Sequence, residues 1–272
     1  MSEMWDSVAD AWEANAEFVD GHLTEATRSM LDSAEIGEGD AVLDLACGVG
    51  GAGMAAAARV GPSGKVVLAD DAPNMIAAAE RRSAGLDHVS TLLCGQADVP
   101  LAAETFDAVF IRHGLMFAEE PAAAVKEALR VLKPGGAYVA MTWSRRSDNP
   151  WLGLVLDAVS EEIGAPFPPA GVSGPFALDD PEALGQLLEE GGLADVRVEA
   201  KPAPMSLDSV DAWWDLVPEL AGPLAIALKG MEPPLRESIR ERALVAGRVA
   251  AVDAPDGIAM NGAVLIASGS RN

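Results

Sequence analysis

The hydrophobic and polar positions of the chain follow two periodicities, one typical of strands and one typical of helices. Short apolar runs rich in Val, Leu and Ala occur at 41–45, 65–70, 88–94, 106–111 and 137–143. Most of them are separated by stretches in which apolar residues recur every three or four positions, as on one face of a helix. Strands that alternate with helices predict an α/β protein with a parallel sheet covered on both faces.

The two ends of the chain depart from this alternation. Apolar residues at helical spacing predict one amphipathic helix over residues 3–19 and a second over about 23–35. Helices and loops dominate again after residue 144 and supply candidate lids over a substrate. The elements predicted there are a helix near 150–163, a helix between Asp180-Pro181 and Gly191-Gly192, a strand at 196–200, helices within 207–252 and a last strand at 258–268.

We therefore expect a single domain over residues 1–272, a length that suits one large α/β unit. Its predicted parts are an N-terminal helical cap (1–36), a ligand-binding core (37–144), lid or substrate-side helices (145–192 and 206–255) and C-terminal strands (193–205 and 256–269).

The composition of the chain excludes several classes of function. Nineteen basic residues against 42 acidic ones give a net charge of −23, and such a surface repels phosphate backbones, so no nucleic-acid partner is expected. No apolar run approaches the ~18–20 residues of a membrane span, and the first residues are acidic, so we expect a cytoplasmic protein. Two cysteines and three scattered histidines predict neither a disulfide framework nor a metal site.

The segment AVLDLACGVGGAG, residues 41–53, is the most informative stretch of the chain. A short strand runs into a glycine-rich turn and then into a helix start, where unpaired N–H groups and a partial positive charge can receive a ligand. Gly48 to Gly53 matches G-x-G-x-x-G, the dinucleotide fingerprint, with Asp70 near the distance expected for a ribose-binding acid. Asp44 favours a different ligand, because a carboxylate here repels a pyrophosphate but attracts an ammonium and a sulfonium.

LDLACGVG resembles motif I of the class I S-adenosylmethionine (SAM)-dependent methyltransferases, and KVVLADDAPNM is similar to the stretch of that family that binds the ribose. FDAV, LKPGG and RHGLMFAEEP are similar to further blocks of its small-molecule members related to the ubiquinone and menaquinone enzymes. The resemblance covers about residues 40–145. It implies a Rossmann-like, seven-stranded, mostly parallel sheet with helices on both faces.

The resemblance also implies roles for particular residues. Asp70 would hold both ribose hydroxyls, Asp44 would attract the ammonium of SAM, and Asp98 would accept the adenine amino group, with Gln96 as the alternative. Asp71 directly follows Asp70, and its alternative role is a solvated surface charge. The predicted cofactor site consists of Asp44, Ala46, Gly48, Gly50, Asp70, Asp71, Met75, Ala97, Asp98 and Arg112.

Catalysis by such an enzyme requires a nucleophile in line with the S–CH₃ bond and the exclusion of water, with a general base for some acceptors. His113, just after the fourth strand, is the first candidate for a base, and His22 is the second. Six aromatic residues and one methionine are candidate walls of an acceptor pocket, and a pocket so lined would favour a flat or lipophilic acceptor. The alternative for each of them is a place in the core. The candidate walls are Phe18, Met116, Phe117, Trp143, Trp151, Trp213 and Trp214.

The sequence therefore predicts transfer of a methyl group from SAM to a small, partly apolar acceptor, leaving S-adenosylhomocysteine, with no metal. O-methylation is favoured, and C- or N-methylation stay open. One alternative is a SAM-binding protein of the same fold that catalyses cyclisation or rearrangement, and a weaker one is an NAD(P)-dependent oxidoreductase. A homodimer is left open beside a monomer.

Overall fold

The structure is a computed structural model that describes residues 2–272. These residues form twelve α-helices, ten β-strands and two single turns of 3-10 helix. The helices are α1 (Ser2–Asp6), α2 (Ala9–Ala14), α3 (Ala16–His22), α4 (Thr24–Ser33), α5 (Gly51–Val60), α6 (Pro73–Arg82), α7 (Pro121–Val131), α8 (Pro150–Ile163), α9 (Pro181–Glu190), α10 (Val210–Leu220), α11 (Gly222–Lys229) and α12 (Pro233–Ala250). The strands are β1 (Ala41–Leu45), β2 (Lys65–Asp70), β3 (Val89–Leu93), β4 (Phe106–Arg112), β5 (Leu132–Trp143), β6 (Ala194–Pro202), β7 (Met205–Leu207), β8 (Val252–Ala254), β9 (Gly257–Met260) and β10 (Ala263–Ser270).

Seven strands form one sheet in the order β3-β2-β1-β4-β5-β10-β6. The strands from β3 to β5 run parallel, and β10 is antiparallel to both β5 and β6. The predicted Rossmann-like, mostly parallel sheet is confirmed. Strand order reverses between β1 and β4, and in open α/β sheets a crevice for ligands forms at the carboxyl ends of the strands on either side of such a reversal.

The central strands are buried on both faces, which explains why they are continuously apolar. Along β1, Val42 packs on one side of the sheet while Leu43 and Leu45 pack on the other. The same division holds for β4, where Phe110 joins the first side and Ile111 the second. Helices α4, α5 and α8 cover the first face, and α7 and α9 cover the second.

The N-terminal segment differs from the single helix predicted over residues 3–19. It forms three short helices, α1 to α3, with non-helical backbone at Val8 and Asn15. The breaks allow the chain to bend, so that Trp5, Trp12 and Phe18 all line one cavity. A straight helix carries its apolar residues along one line, whereas this segment must follow a curved surface.

The C-terminal strand predicted over 258–268 is likewise two strands, β9 and β10. The chain turns between them at Asn261-Gly262, where a Cβ on Gly262 would overlap the carbonyl of Ala203. β9 pairs with β7 and β8 in a small antiparallel sheet of three strands that the sequence analysis missed. Strands of three or four residues are too short to show a periodicity.

The longest helix, α12, has eighteen residues, with charged side chains spaced along it. None of the helices in residues 2–272 combines the length and the apolarity that crossing a membrane requires. Within the same range, no three His, Cys, Asp or Glu side chains converge in a way that would hold a metal ion.

Candidate active site

One cavity of about 620 Å³ opens at the carboxyl ends of β1, β2 and β4. The N-terminal helices, α8 and the junction of α10 with α11 close it from the opposite side. Its volume lies in the range of roughly 300–1,000 Å³ that is typical of small-molecule sites. The predicted site residues that line it are His22, Asp44, Ala46, Gly48, Asp70, Asp71, Met75, Ala97, Asp98, Arg112 and His113.

The turn between β1 and α5 depends on left-handed backbone conformations. Ala46, Gly48 and Gly50 have φ angles of 53°, 54° and 88°, which glycine adopts without the penalty that a Cβ brings. Gly48 borders the cavity, but Gly50 does not belong to its lining. A Cβ on Gly50 would stand 3.2 Å from Leu68 and 3.4 Å from Ala79, in the packed interior. Gly50 therefore shapes the turn, while Gly48 is placed to meet a ligand.

Asp70 ends β2 and connects the glycine turn to the start of α6. One carboxylate oxygen accepts the backbone N–H of Gly48 at 2.8 Å, and the other accepts that of Ala72 at 3.0 Å. Burial raises the pKa of Asp70 to about 6, against the opposing effect of these two hydrogen bonds. A carboxylate has about four lone-pair sites. Each oxygen of Asp70 therefore keeps an acceptor site for a ligand hydroxyl.

Asp44 is a fully buried carboxyl group that also lines the cavity. Neither of its oxygens has a partner at ordinary hydrogen-bond geometry among residues 2–272, although the backbone N–H of Gly53 is near enough to lower its pKa. Burial raises the pKa of Asp44 to about 7, and the Arg112 guanidinium only partly opposes this shift. An unpaired buried carboxyl group is costly for a protein that binds nothing, so Asp44 indicates a ligand that carries a donor or a positive charge.

The turn after β3 forms the more open side of the cavity. Asp98 donates its backbone N–H to the carbonyl of Gly95 at 3.3 Å, and the two residues form an isolated bridge. Ala97, Asp98 and Asp71 are exposed at this rim, whereas Met75 is buried beneath it. A flat polar ring could lie here with Met75 against its face and the exposed turn at its edge.

Arg112 ends β4 and is held by residues of the N-terminal segment. Its guanidinium donates to the hydroxyl of Thr27 and to the carboxylate of Asp20, both at 3.0 Å. Arg82 donates to the second oxygen of Asp20 at 2.6 Å. A Cβ on Gly51 would overlap the Asp20 carboxylate. Asp20 therefore sits over the first residue of α5 and joins the cap to the sheet.

His113 is a half-buried residue whose ring nitrogens are buried and whose ring stacks on the indole of Trp143. The ring centroids are 3.9 Å apart and the planes differ by 13°. Neither ring nitrogen has a hydrogen-bond partner in the described chain. Burial, followed by the charge of Arg112, lowers the pKa of His113 well below its ordinary value. The imidazole is therefore neutral at physiological pH.

His22 lies at the end of α3 and hydrogen-bonds across the cavity wall. Its Nδ1 lies 3.1 Å from the carbonyl oxygen of Pro204. Burial lowers the pKa of His22 to about 4, with a further lowering by Arg112. Its ring lies between those of Phe18 and Trp143, with centroids 6.2 and 6.3 Å away. Both histidines that the sequence analysis singled out therefore border on the same tryptophan.

Aromatic side chains form much of the remaining wall of the cavity. Four of the predicted wall residues line the cavity, namely Phe18, Phe117, Trp143 and Trp151. The prediction was wrong for Trp213, which lies in the core and donates its indole N–H to the carbonyl of Trp151 at 2.7 Å. Met116 is also a core residue, and Trp214 borders a separate surface pocket. Trp5, Trp12 and Phe167 line the cavity as well.

Comparison with known proteins finds a family match over the middle of the chain. Residues 43–140 match the family model described as "Methyltransferase domain", the same stretch that carries the glycine turn, Asp44, Asp70 and Arg112. Over these residues the chain is similar to the class I SAM-dependent methyltransferases.

Several curated relatives that this chain matches are named methyltransferases. A demethylmenaquinone methyltransferase of Symbiobacterium thermophilum is 31% identical over 53% of this chain and 59% of the relative. The ubiquinone/menaquinone biosynthesis C-methyltransferase UbiE of Ectopseudomonas mendocina is 27% identical, over 86% of this chain and 89% of its own length. The chain spans about half the length of each of the first four curated relatives that it matches.

Solved structures extend the fold likeness beyond the matched segment. The crystal structure of the [4+2]-cyclase SpnF covers 98% of this chain and 97% of its own, with a TM-score of 0.56 and 17% identity. At that identity the likeness concerns the fold alone. The likeness does extend to the N-terminal and C-terminal helices that close the cavity, because it covers 98% of this chain.

The sequence analysis missed Asp20, Thr27 and Pro204, all of which hold site residues in place. Asp20 is one acid among 42 acidic residues, and nothing in its neighbourhood distinguishes it. Pro204 contributes a backbone carbonyl, which has no sequence signature. By contrast, Asp70 and Arg112 each end a strand and Asp44 is the last residue but one of β1, so their meeting at one rim was predictable.

Proposed function

We propose that this protein transfers a methyl group from SAM to a small, partly apolar acceptor, with O-methylation as the favoured reaction. The observation that carries the proposal is that one cavity joins the strand-end carboxylates to an aromatic wall. The carboxylate side matches a polar cofactor, and the aromatic side matches an apolar acceptor. A site for methyl transfer must bring these two chemistries together.

The residues present fit SAM. Asp70 keeps a free acceptor site on each oxygen for the ribose hydroxyls, and the unpaired carboxyl of Asp44 suits the ammonium. Met75 would cover the adenine, and Ala97 with Asp98 would meet its edge. When bound, SAM supplies a methyl group already activated by its sulfonium.

The chain itself must then orient the acceptor and exclude water. The short helices α1 to α3 carry Trp5, Trp12 and Phe18 into the cavity, and this apolar cover favours the exclusion of water. The aromatic walls restrict how a flat acceptor can lie. Methyl transfer from SAM requires mainly that the protein position the acceptor and exclude water from the site.

C-methylation is the second candidate, because UbiE, which covers 86% of this chain, is named a C-methyltransferase. Cyclisation or rearrangement without methyl transfer is the third, since SpnF, which has this fold, is named a cyclase. The two alternatives differ from O-methylation in the product, so structural analysis of the product separates them.

The first test is calorimetric titration of the protein with SAM, S-adenosylhomocysteine and NADH. We expect both sulfur ligands to bind and NADH to give no heat. Saturation with SAM should be followed by incubation with a panel of hydroxyaromatic compounds and product analysis by mass spectrometry and NMR. Binding of NADH alone would overturn the proposal. Binding of SAM without any methylated product would favour the cyclase alternative.

A further inference from the structure

The structure determines which ring nitrogen of His22 carries the proton. Its Nδ1 lies 3.1 Å from the carbonyl oxygen of Pro204, a residue 182 positions later in the chain. A carbonyl oxygen only accepts hydrogen bonds, so Nδ1 must carry the proton. Because burial keeps the imidazole neutral, Nε2 has no proton. It is an acceptor with a free lone pair.

The Nε2 atom of His22 is buried without a partner. No residue within 2–272 donates a hydrogen bond to it, although its ring lines the cavity. Burying an unsatisfied acceptor is unfavourable. A ligand that brings an O–H or N–H donor into the cavity would satisfy it.

The surroundings of the two histidines offer no partner to a charged acceptor. Burial and Arg112 both lower the pKa of His22 and His113, and no carboxylate of the described chain opposes them. Both imidazoles are therefore neutral before the reaction, and no carboxylate beside them attracts an ammonium group. Arg112 is the one arginine or lysine among the described lining residues. It is already paired with Asp20 and Thr27, so an anionic acceptor finds no free cation.

Aromatic rings define the shape of the space beside His22. The rings of Phe18 and Trp143 lie nearly parallel to the imidazole, at interplanar angles of 15° and 25°. Trp151 meets it edge-on at 76°, and its indole N–H is engaged with the side-chain oxygen of Asn149 at 3.2 Å. Flat apolar surfaces therefore surround the one free acceptor atom of this ring.

We propose that His22 is the catalytic residue that binds and deprotonates the acceptor, an uncharged aromatic compound whose hydroxyl donates to Nε2. This proposal rests on the proposed function. It assigns the acceptor hydroxyl as the nucleophile and His22 as the base. The O–H bond breaks as the O–CH₃ bond forms. The electron pair of the O–H bond stays on oxygen, and the proton passes to Nε2 and then to solvent. The S–CH₃ bond of SAM would break in the same step, with its electron pair left on the sulfur of S-adenosylhomocysteine. Pro204 holds the ring in the tautomer that can accept it.

His113 is less suited to this role, although it was the first candidate from sequence. Nothing among residues 2–272 fixes either of its nitrogens, and its ring lies face to face on Trp143. That arrangement makes His113 part of the aromatic wall. The hydrogen bond to Pro204 is what distinguishes His22.

The test compares four biphenyl probes that differ only in one substituent: 4-hydroxybiphenyl, 4-methoxybiphenyl, biphenyl-4-carboxylate and protonated 4-(aminomethyl)biphenyl. Dissociation constants are measured by quenching of tryptophan fluorescence, with and without S-adenosylhomocysteine. We expect the hydroxyl compound to bind about tenfold more tightly than the other three, the effect of one hydrogen bond to a buried group. Equal binding of the ether or of either charged probe, or no binding of the hydroxyl compound, would overturn the inference.

Two variants assign the preference to His22. His22→Phe keeps a ring against Phe18 and Trp143 but removes Nε2, so it should bind the hydroxyl and methoxy probes equally. His88→Phe is the matched control, since His88 also contacts a backbone carbonyl, that of Ala57 at 3.2 Å, away from the cavity. It should keep the wild-type preference. A hydroxyl preference that survives in His22→Phe contradicts the assignment.

A spectroscopic measurement on the wild-type protein does not depend on whether a variant folds. Long-range ¹H–¹⁵N correlation spectra of the wild-type protein should show His22 neutral with its proton on Nδ1. Its Nε2 resonance should move on addition of 4-hydroxybiphenyl and stay in place with 4-methoxybiphenyl. A proton on Nε2 would refute the proposal.

The two proposals fail in different ways. Absence of SAM binding, with the hydroxyl preference intact, would overturn the proposed function and leave the His22 site standing. Methyl transfer that proceeds undiminished in His22→Phe would overturn the role of His22 and leave the proposed function standing.

Discussion

Arg112 donates a hydrogen bond to Asp20 at 3.0 Å, and the two residues stand 92 positions apart in the chain. Arg112 ends a central strand, whereas Asp20 belongs to the short helix α3 of the N-terminal cap. Arg82 holds the other carboxylate oxygen. The cap is therefore tied to the sheet beside the cavity that it helps to close.

Asp20→Ala should loosen this attachment. It leaves two largely buried guanidinium groups without their shared carboxylate, since the side chains of Arg82 and Arg112 are 18% and 10% exposed. Allowing for the partial exposure of Asp20, we expect a loss of about 1–3 kcal/mol in the free energy of unfolding. Denaturant unfolding measures it, and faster proteolysis of the first 22 residues should accompany it.

The control for that variant is Asp32→Ala, which removes a more exposed ion pair with Arg59. Exposed pairs contribute little, so the control should lose less than about 1 kcal/mol. Equal losses in the two variants would show that the Asp20 contacts do not stabilise the cap.

Gly51→Ala should have effects of opposite sign in two backgrounds. In the wild type the new Cβ would overlap the Asp20 carboxylate and stand 2.6 Å from Arg112, so the variant should be destabilised. In the Asp20→Ala background the carboxylate is absent and the end of the Arg112 side chain, released from Asp20, can move aside. Alanine is a better helix former than glycine by up to about 1 kcal/mol. A double-mutant cycle of unfolding free energies measures this coupling. Additive effects would contradict the packing of Asp20 over α5.

Asp70→Ala should weaken binding of SAM at least about tenfold, because two ribose hydroxyls lose a charged acceptor. The exposed Asp87→Ala is the matched control for removing one carboxylate. Because Asp70 also accepts two backbone N–H groups, thermal unfolding should be recorded in parallel. An unchanged affinity for SAM in a folded Asp70→Ala protein would remove the ribose assignment.

Asp44→Asn should flatten the pH dependence of stability. The pKa of Asp44 is raised from 3.8 to about 7 by burial, so the carboxyl is neutral in the folded protein at acidic pH. Its contribution to stability is complete below about pH 4 and is lost as pH rises through about 7. Over this range the loss is up to about 4 kcal/mol, from about 1.4 kcal/mol for each pH unit.

The measurement for Asp44 is the difference between variant and wild type in unfolding free energy, from pH 5 to pH 8. His22 and His113 have lowered pKa values and act in the opposite direction, but both proteins contain them, so their effects cancel. The variant should gain relative stability as pH rises and bind SAM more weakly. A difference independent of pH would refute the raised pKa.

The sequence by itself determined the sheet and its binding edge. Asp70 and Arg112 each close an apolar run, Asp44 lies one residue before the end of another, and parallel strands bring their carboxyl ends together. Gly48 and Gly50 predicted a turn, because few other residues adopt positive φ angles. These features depend on neighbours within a few residues, which is why the pattern of the chain reveals them.

Only the tertiary structure decided what closes the cavity and what distinguishes its two histidines. The bend of the N-terminal segment, the position of Asp20 over Gly51 and the hydrogen bond between His22 and Pro204 join residues far apart in the chain. The tertiary structure also showed that Gly50 packs inward, whereas Gly48 borders the cavity. Such contacts depend on how whole elements pack against one another, and no local pattern of residues records them.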